Sequence, residues 1–183
     1  MIKVFLKRKI ASRILNGHPW VYGNEIEKII GDDGKLIDTF VEPGTIVDVH
    51  FFDNKYAGRG YINQKSQIAV RLLSRKREDI DELFFYNRIL KAWHYRQKIG
   101  YTENCRLVFG EADYLPALII DKFNDYFVIQ TLSYGIEQWK PAIVKALQQI
   151  FNPKGIYERN DVPVRELEGL QQQKGFLSAP FDT

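Results

Sequence analysis

The segment Pro43–Ser74 reads PGTIVDVHFFDNKYAGRGYINQKSQIAVRLLS and carries the clearest structural signal in the first part of the chain. Short runs of β-branched and aromatic residues alternate with Gly, Pro, Asn and Asp, which is typical of strands separated by turns. We predict strands over 41–52, 55–62 and 67–73, with Asp53-Asn54 as a tight hairpin turn. Short strands at this spacing favour a small β-barrel or sandwich.

The residues on either side complete the predicted domain organisation. Lys3–Leu6 is predicted as a strand, and 8–16 as a short helix that Gly17 ends. The charged segment after Leu73 lacks apolar periodicity, so we interpret it as a linker. The predicted divisions are a barrel over 1–73, a linker over 74–79 and a second domain over 80–183.

The second domain begins with a predicted helix over about 80–99. Asp79 and Glu82 have the spacing of a capping box, and Gly100 provides a stop. Apolar residues recur at helical spacing, and the predicted buried face consists of Leu83, Tyr86, Leu90 and Trp93.

The rest of the second domain is predicted to consist of strands and one helix. Strands are expected over 106–109, 115–121 and 126–132, with Asn124-Asp125 as a hairpin turn. A helix with Pro141 in its first turn and a strand over 155–159 follow, and the remaining residues have weak periodicity. The predicted fold class is α+β: a small barrel, then a strand-strand-helix-strand domain led by one long helix.

The composition is that of a folded protein without an apolar anchor. The 183 residues are 45% hydrophobic and include one cysteine, Cys105, which excludes an internal disulfide. No apolar run approaches about 18 residues, and the N-terminus lacks the pattern of a secretory signal. We expect a cytoplasmic protein with no membrane partner.

Positive charge is concentrated in the first part of the chain. Residues 1–77 hold 14 Lys and Arg against 8 Asp and Glu, a net charge of +6, although the whole chain carries only +3. A basic segment beside an acidic one favours a polyanionic partner, but plain solvated surfaces also show such a division.

Residue spacing gives little support for catalysis, metal binding or a cofactor. The three histidines fall in different predicted elements, so no metal site is expected. Cys105 is interpreted as a small buried hydrophobe, and Glu111 and Asp113 as solvated or capping carboxylates. Gly58-Arg59-Gly60 lacks the remainder of a dinucleotide fingerprint, so we interpret it as a close backbone approach or bulge from which Arg59 projects outward. No catalytic, cofactor or metal residue is assigned.

Cations interleaved with aromatic residues remain, and they suggest an RNA surface. Lys and Arg neutralise phosphates, while aromatic rings stack on unpaired bases. The alternative is that Trp20 and Tyr22 fill the core and the cations are merely solvated. The candidate RNA-binding residues are Lys7, Arg8, Lys9, Arg13, His18, Tyr22, Lys55, Arg59 and Lys65.

The segment Asn16–Ile26, NGHPWVYGNEI, allows three interpretations: a catalytic or metal cluster, a stacking surface, or a turn that leads into a strand. No second ligand or base stands at a useful spacing, which argues against the first. Gly17 and Pro19 fit a turn, and Trp20 is assigned to the core rather than to stacking. His18, beside Arg8 and Arg13, is the stronger candidate for RNA contact.

Four segments resemble one family along nearly the whole chain. GHPWVYGNEI and the Pro43–Ser74 segment resemble the N-terminal PUA domain of the RNA cytosine-5 methyltransferases that act on large-subunit ribosomal RNA. EADYLPALIIDKFNDYFVIQ (Glu111–Gln130) and GIYERNDVPVRELEGL (Gly155–Leu170) are similar to the central α+β domain of that family.

The resemblance implies a PUA barrel over about 1–73, with ribosomal RNA as partner. The family's catalytic Rossmann-type domain, which binds S-adenosylmethionine and supplies the attacking cysteine, would follow the EGL segment and is not found in these residues. We therefore expect either the N-terminal part of a longer enzyme or a short relative that keeps binding without catalysis. The chain alone is expected to bind no S-adenosylmethionine and to transfer no methyl group.

Two other function classes compete with RNA recognition. The chain could be an interaction module, for instance a homodimer, in which scattered cations are incidental and the helix over 80–99 has an uncovered apolar patch. It could also be a complete small enzyme that uses Glu111, Asp113 and His94. The positions of the cations in the structure discriminate the first alternative from RNA recognition.

Overall fold

The computed structural model describes residues 1–8 and 11–178. The chain divides into two compact units, Met1–Glu78 and Asp79–Thr183. Residues of the expected linker up to Glu78 cluster with the first unit, because Arg75 donates to the carbonyl oxygens of Ala57 and His18, each at 2.9 Å. Within the described residues no helix is long and apolar enough to cross a membrane.

In the described residues the first unit is a six-stranded half-barrel with a short α-helix. Its elements are β1 (Lys3–Leu6), α1 (Ala11–Leu15), β2 (Trp20–Val21), β3 (Ile26–Ile30), β4 (Ile46–His50), β5 (Tyr56–Ile62) and β6 (Val70–Ser74). The strand order is β2-β6-β5-β4-β1-β3, in which β1 and β4 are parallel and the other neighbours are antiparallel. The core contains inward aliphatic side chains, among them Val4, Leu6, Val47, Val49 and Leu72.

The predicted strands of the first unit are present: β1 has the predicted bounds, β4 and β5 are shorter, and β6 is shifted to 70–74. Asn54 has a φ of 66° in the turn between β4 and β5, as the hairpin prediction required. Gly17, with a φ of 96°, follows the end of α1, and β2 comes next in the chain. The backbone of Asn16–Ile26 is therefore a turn that leads into a strand, which is one of the three interpretations of this segment. Strand β3 was not predicted, because Glu27 and Lys28 interrupt the apolar pattern of this exposed edge strand.

Two glycines let β5 approach β6 closely. A Cβ on Gly60 would lie 2.0 Å from the carbonyl oxygen of Arg71, and one on Gly58 would lie 2.6 Å from that of Ser74. The register shifts between Arg59 and Gly60. The predicted close approach and bulge at Gly58-Arg59-Gly60 are therefore observed.

The second unit packs helices on a five-stranded mixed sheet. Its elements are α2 (Glu82–Lys98), β7 (Asn104–Phe109), β8 (Leu118–Phe123), β9 (Tyr126–Thr131), α3 (Tyr134–Gln138), α4 (Lys140–Phe151), β10 (Gly155–Asn160) and β11 (Gln173–Phe176). The order is β11-β10-β9-β8-β7, with β9 and β10 parallel. Pro141 lies in the first turn of α4, and Asn124-Asp125 forms the turn between β8 and β9, as predicted.

Helix α2 differs from the prediction in its cap and its buried face. The N-cap is Asp81, whose side chain accepts from the Phe84 backbone N–H at 2.8 Å, so the assignment to Asp79 is wrong. Leu83 is 62% exposed, and the buried residues are Phe84, Phe85, Ile89 and Ala92. The face is rotated because Phe85 packs on Trp139, with ring centroids 5.0 Å apart.

A buried polar network joins the 3₁₀ segment Pro163–Glu168 to the sheet. Arg165 is 1% exposed, and its Nη1 donates to Glu137 at 2.9 Å and to the carbonyl oxygen of Thr131 at 2.5 Å. Lys140 Nζ bridges Glu137 and Glu158 at 2.6 and 2.7 Å. Burial alone would raise the pKa of Glu137, but hydrogen bonds from Arg165, Lys140 and Thr131 lower it to about 2. Residues 163–176, which had weak periodicity in the sequence, are held by this network and by the pairing of β11 with β10.

Candidate nucleic-acid interface

Strand β1 divides its side chains between the core and an outer face of the first unit. Val4 and Leu6 are fully buried, and Lys3 and Phe5 lie on the opposite face because side chains alternate along a strand. A cavity of about 720 Å³ lies along this face. We call it the basic groove, and its side chains include Lys3, Phe5, Lys7, Arg8, Lys28 and Phe52, together with Glu27.

The four cations of the basic groove are exposed and lack acidic partners. Lys3, Lys7, Arg8 and Lys28 form no ion pair with any residue in 1–8 or 11–178. Lys7 Nζ donates to the carbonyl oxygen of Asn24 at 2.9 Å, which leaves its charge unneutralised. Glu27 is the one acid among the described lining residues. A concave surface with this excess of positive charge attracts polyanions.

Two aromatic rings of the basic groove lie beside its cations. The guanidinium carbon of Arg8 lies 5.2 Å from the Phe52 ring centroid, and Lys28 Nζ lies 5.2 Å from the Phe5 centroid. Phe5 and Lys28 are register partners on β1 and β3. Phe52 is 49% exposed. An exposed ring beside a cation provides a stacking surface for an unpaired base.

His50 supports the groove from beneath. It is buried, its ring stacks on Phe5 with centroids 5.4 Å apart, and its Nδ1 lies 3.0 Å from the carbonyl oxygen of Asn54. Because a carbonyl oxygen only accepts, Nδ1 carries the proton in this contact. Nε2 is buried without a hydrogen-bond partner in the described part of the chain. His50 therefore fixes Phe5 and the hairpin that carries Phe52.

Arg13, His18 and Tyr22 form a separate cluster around Glu25. Arg13 Nη2 lies 2.5 Å from both carboxylate oxygens of Glu25, and Arg13 Nη1 lies 2.8 Å from His18 Nδ1. The Arg13 guanidinium carbon is 5.1 Å from the centroid of the Tyr22 ring. Trp20 is half-buried and packs edge-on to His18. Because Glu25 balances the charge of Arg13, the cluster stabilises the loop between α1 and β3.

Arg59 does not project outward, so that expectation is wrong. Its side chain is buried, with Nε 2.8 Å from Asp48 Oδ1 and Nη1 2.8 Å from the carbonyl oxygen of Glu78. Arg77 lies 3.5 Å from the same aspartate and 4.3 Å from the centroid of the Tyr56 ring. Burial, with the nearby Asp48 carboxylate, raises the pKa of Tyr56. Arg59 compensates the buried Asp48 and is inaccessible to a phosphate.

The remaining predicted RNA-binding residues lie outside the basic groove or the described residues. Lys55 is exposed beside Asp53, 2.8 Å away; a side-chain hydrogen bond to this carboxylate raises the pKa of Lys55. Lys65 is exposed in the turn after Asn63. Lys9 lies outside the described residues. Of the nine predicted residues, the structure brings Lys7 and Arg8 together in the groove.

The sequence analysis missed Lys3, Phe5, Lys28 and Phe52. Alternation in Lys3-Val4-Phe5-Leu6-Lys7 could have identified the outer face of β1, since aliphatic residues alternate with cations and an aromatic. Lys28 had no such signal, because its strand was not predicted and its place beside Phe5 follows from strand pairing.

The candidate catalytic groups have structural contacts or ordinary surface positions. Asp113 accepts from Arg96 Nη2 at 2.5 Å and from the Phe109 backbone N–H at 2.7 Å, which is a capping role. Burial raises the pKa of the Cys105 thiol, which disfavours the nucleophilic thiolate. His94 is exposed on α2. The described residues contain no group of three or more His, Cys, Asp or Glu placed to hold a metal ion.

Residues 4–75 match the family model described as the PUA-like domain. The first unit contains a PUA-like domain. The match runs from β1 into the segment after β6, so the basic groove belongs to the PUA-like domain. The expectation of such a domain is confirmed.

Curated relatives extend the similarity into the second unit. The chain is 34% identical over 178 residues to the ribosomal RNA large subunit methyltransferase I of Vibrio vulnificus, covering 95% of this chain and 43% of that protein. It is 41% identical over 164 residues to the same enzyme of Vibrio cholerae, covering 87% of this chain and 39% of that protein. The chain thus spans less than half the length of these relatives, and its homology to them supports the resemblance.

Two solved structures share the fold. A Streptococcus mutans protein designated a SAM-dependent methyltransferase has a TM-score of 0.75 at 15% identity, covering 100% of this chain and 44% of that chain. A second protein, designated a methyltransferase and solved with SAH, has a TM-score of 0.71 at 16% identity, covering 87% of this chain and 40% of that chain. At these identities the likeness establishes the fold alone.

Proposed function

We propose that this chain is the RNA-recognition part of a ribosomal RNA (cytosine-5) methyltransferase. The observation that carries the proposal is the basic groove of the PUA-like domain, where four exposed cations without acidic partners flank two aromatic rings. The homology to ribosomal RNA large subunit methyltransferases supports ribosomal RNA as the ligand. Methyl transfer from S-adenosylmethionine is assigned to a part of the enzyme outside these 183 residues.

In this proposal the groove binds the RNA backbone and stacks on an unpaired base. Lys3, Lys7 and Lys28 neutralise phosphates, which releases counterions and makes the affinity depend on salt. The exposed ring of Phe52, with Arg8 beside it, receives a base. Phosphate contacts of this kind position RNA without reading its sequence.

The other predicted RNA contacts have different parts in the proposal. Lys9 directly follows Arg8 in the chain and is retained as a backbone contact. Lys55 and Lys65 are exposed and are proposed as peripheral phosphate contacts. Arg13, His18 and Tyr22 are proposed to contact RNA through the exposed part of their cluster. Arg59 is assigned a structural role because it is buried against Asp48.

The proposal predicts a large effect of removing groove charge. The triple substitution Lys3→Ala, Lys7→Ala and Lys28→Ala should lower the salt slope of RNA binding by about two to three. Fluorescence anisotropy with a labelled fragment of large-subunit ribosomal RNA at several salt concentrations measures this slope and the affinity.

A matched control removes three lysines elsewhere. Lys145, Lys154 and Lys174 are exposed in the second unit, so their triple alanine variant changes the net charge equally. It should retain most of the affinity. If both triple variants lose RNA affinity equally, the loss is a general effect of net charge and does not depend on the groove. Binding that does not depend on salt would contradict the RNA proposal itself.

The competing interaction module has partial support in the cation positions. Lys7 and Arg8 share one groove, whereas Lys65 lies outside it and Arg59 is buried. On α2, Leu83 is 62% exposed. We favour RNA recognition because the groove brings together cations from β1, β3 and the segment after β1, and a dimer interface would not require that arrangement.

A further inference from the structure

The second unit has a cavity that the proposed function does not use. It measures about 690 Å³ and lies between α2, β7 and the 3₁₀ segment Gly110–Asp113. Its size falls within the range of about 300 to 1,000 Å³ that small-molecule sites occupy. The side chains on which the argument depends are Arg88, Lys91, Tyr95, Arg106, Phe109 and Tyr114.

The cavity carries an excess of positive charge. Four cations line it, whereas Asp113 is the one acid among its described lining residues. Asp113 is already paired with Arg96 at 2.5 Å, and Arg106 is held in a fork by Asp121 at 2.9 and 3.1 Å. Lys91 is exposed and forms no ion pair with any residue that the structure describes. We therefore expect a ligand of this cavity to place an anionic group beside Lys91.

Several aromatic rings are exposed around the same cavity. Tyr95, Phe109 and Tyr114 are 55%, 54% and 62% exposed. Each lies near a cation: Arg96 over Tyr95 and Arg106 over Phe109, both at 5.3 Å, and Arg88 over Tyr114 at 5.6 Å. Large apolar rings gathered at an exposed surface mark an interaction site. Rings beside cations suit a flat base joined to a phosphate.

The backbone of Tyr114 supports a ligand-binding role for its ring. Its φ of 59° and ψ of 30° lie in the left-handed region, which is unfavourable for a bulky side chain. The turn is secured by hydrogen bonds from Tyr114 N to the carbonyl oxygen of Glu111 and from Leu115 N to that of Gly110, at 3.1 and 3.0 Å. A strained position kept by its surroundings points to a function for the side chain it presents.

We propose that this cavity binds one unpaired nucleotide of RNA, with the base against Tyr114 or Phe109 and the phosphate at Lys91. The inference rests on the proposed function for the identity of the ligand. A free S-adenosylmethionine molecule fits less well, because its sulfonium and amino groups would face the lining cations. The second unit thus supplies a stacking site in addition to the basic groove.

The test compares single-stranded and duplex RNA on the full chain. Tyr114→Asn removes the ring but suits the left-handed backbone, and Lys91→Ala removes the exposed charge. Each variant should weaken binding of a labelled single-stranded RNA of about twelve nucleotides, Tyr114→Asn by about five- to a hundredfold. Duplex RNA should bind as before, since its bases are not available for stacking.

Matched control variants distinguish the loss of stacking or of charge in the cavity from a general effect of the substitutions on the protein. Phe40→Asn removes a ring that is 75% exposed in the first unit, and Lys145→Ala removes a lysine on α4. Both should retain single-stranded affinity, and thermal unfolding by circular dichroism checks that all variants are folded.

The outcomes distinguish this inference from the groove proposal. Unchanged single-stranded affinity in Tyr114→Asn and Lys91→Ala, with loss in the groove triple variant, overturns the cavity inference and leaves the groove proposal standing. Loss in the cavity variants alone supports the cavity and contradicts the groove. If Tyr114→Asn instead abolishes a concentration-dependent dimer seen by sedimentation and leaves RNA binding intact, the cavity is a protein interface and the inference is wrong.

Discussion

At the scale of single residues, the first unit depends on positions where one atom decides the packing. Gly60 lies where β5 passes β6 so closely that a Cβ would meet the carbonyl oxygen of Arg71 at 2.0 Å. Arg59, its neighbour, is buried with its Nε 2.8 Å from Asp48 Oδ1. Removing Asp48 would take a carboxylate partner away from the buried guanidinium of Arg59.

We expect Gly60→Ala to destabilise the protein strongly. The added methyl group collides with backbone atoms that a rotamer change cannot move, so a loss of about 3 kcal/mol in the free energy of unfolding is expected. Urea unfolding followed by tryptophan fluorescence measures it. Gly23→Ala is the matched control in the same unit, because a Cβ at Gly23 would meet no atom within 4 Å. Equal stability of the two variants would contradict the close approach.

At the scale of elements, the network around Glu137 ties together segments that are distant in sequence. Glu137 on α3 accepts from Arg165, 28 residues away, and from Lys140 on α4. Lys140 also contacts Glu158 on β10 at 2.7 Å. These charge-assisted bonds connect α3, α4, β10 and the 3₁₀ segment.

The lowered pKa of Glu137 predicts a pH dependence of stability. Its folded value is about 2 against an ordinary 4.5, so its contribution is complete above about pH 4.5 and is lost as the pH falls towards 2. Glu137→Gln should cost about 3 kcal/mol at pH 7, because Arg165 loses its charge partner.

The measurement is the difference in unfolding free energy between about pH 6 and about pH 3. This difference should be smaller in Glu137→Gln than in the unmodified chain, since the amide does not titrate. Glu82→Gln, an exposed carboxylate on α2, should keep the full difference. If Glu137→Gln leaves the difference in unfolding free energy between the two pH values unchanged, Glu137 does not contribute to the pH dependence of stability.

At the scale of the whole molecule, each unit presents its own basic and aromatic surface. The PUA-like domain has the basic groove, and the second unit has the cavity near Tyr114. Neither contains a group of acidic residues suited to a cationic ligand, since each described lining has a single acid. Both surfaces therefore suit an anionic polymer with exposed bases.

We predict that S-adenosylmethionine leaves the thermal stability of this chain unchanged. A ligand at about 100 times its Kd would stabilise the folded state by about 2.7 kcal/mol, which a thermal unfolding curve readily detects. A ribosomal RNA fragment, added in the same assay, should raise the unfolding midpoint. A clear upward shift with S-adenosylmethionine, or methyl incorporation into the RNA, would show that the chain binds the cofactor itself.

The sequence alone was sufficient for features that depend on neighbouring residues. It predicted most strands, the turns at Asp53-Asn54 and Asn124-Asp125, Pro141 in the first turn of α4 and the PUA-like domain, because turn chemistry and side-chain alternation are local. It also selected Lys7 and Arg8, which the structure places in the basic groove, and their contact with RNA stays a prediction. Only the tertiary structure decided that Lys28 joins Phe5, that Arg59 is buried against Asp48, and that Tyr114 lies near Arg88. These pairings connect segments distant along the chain, and strand register and helix packing bring them together in space.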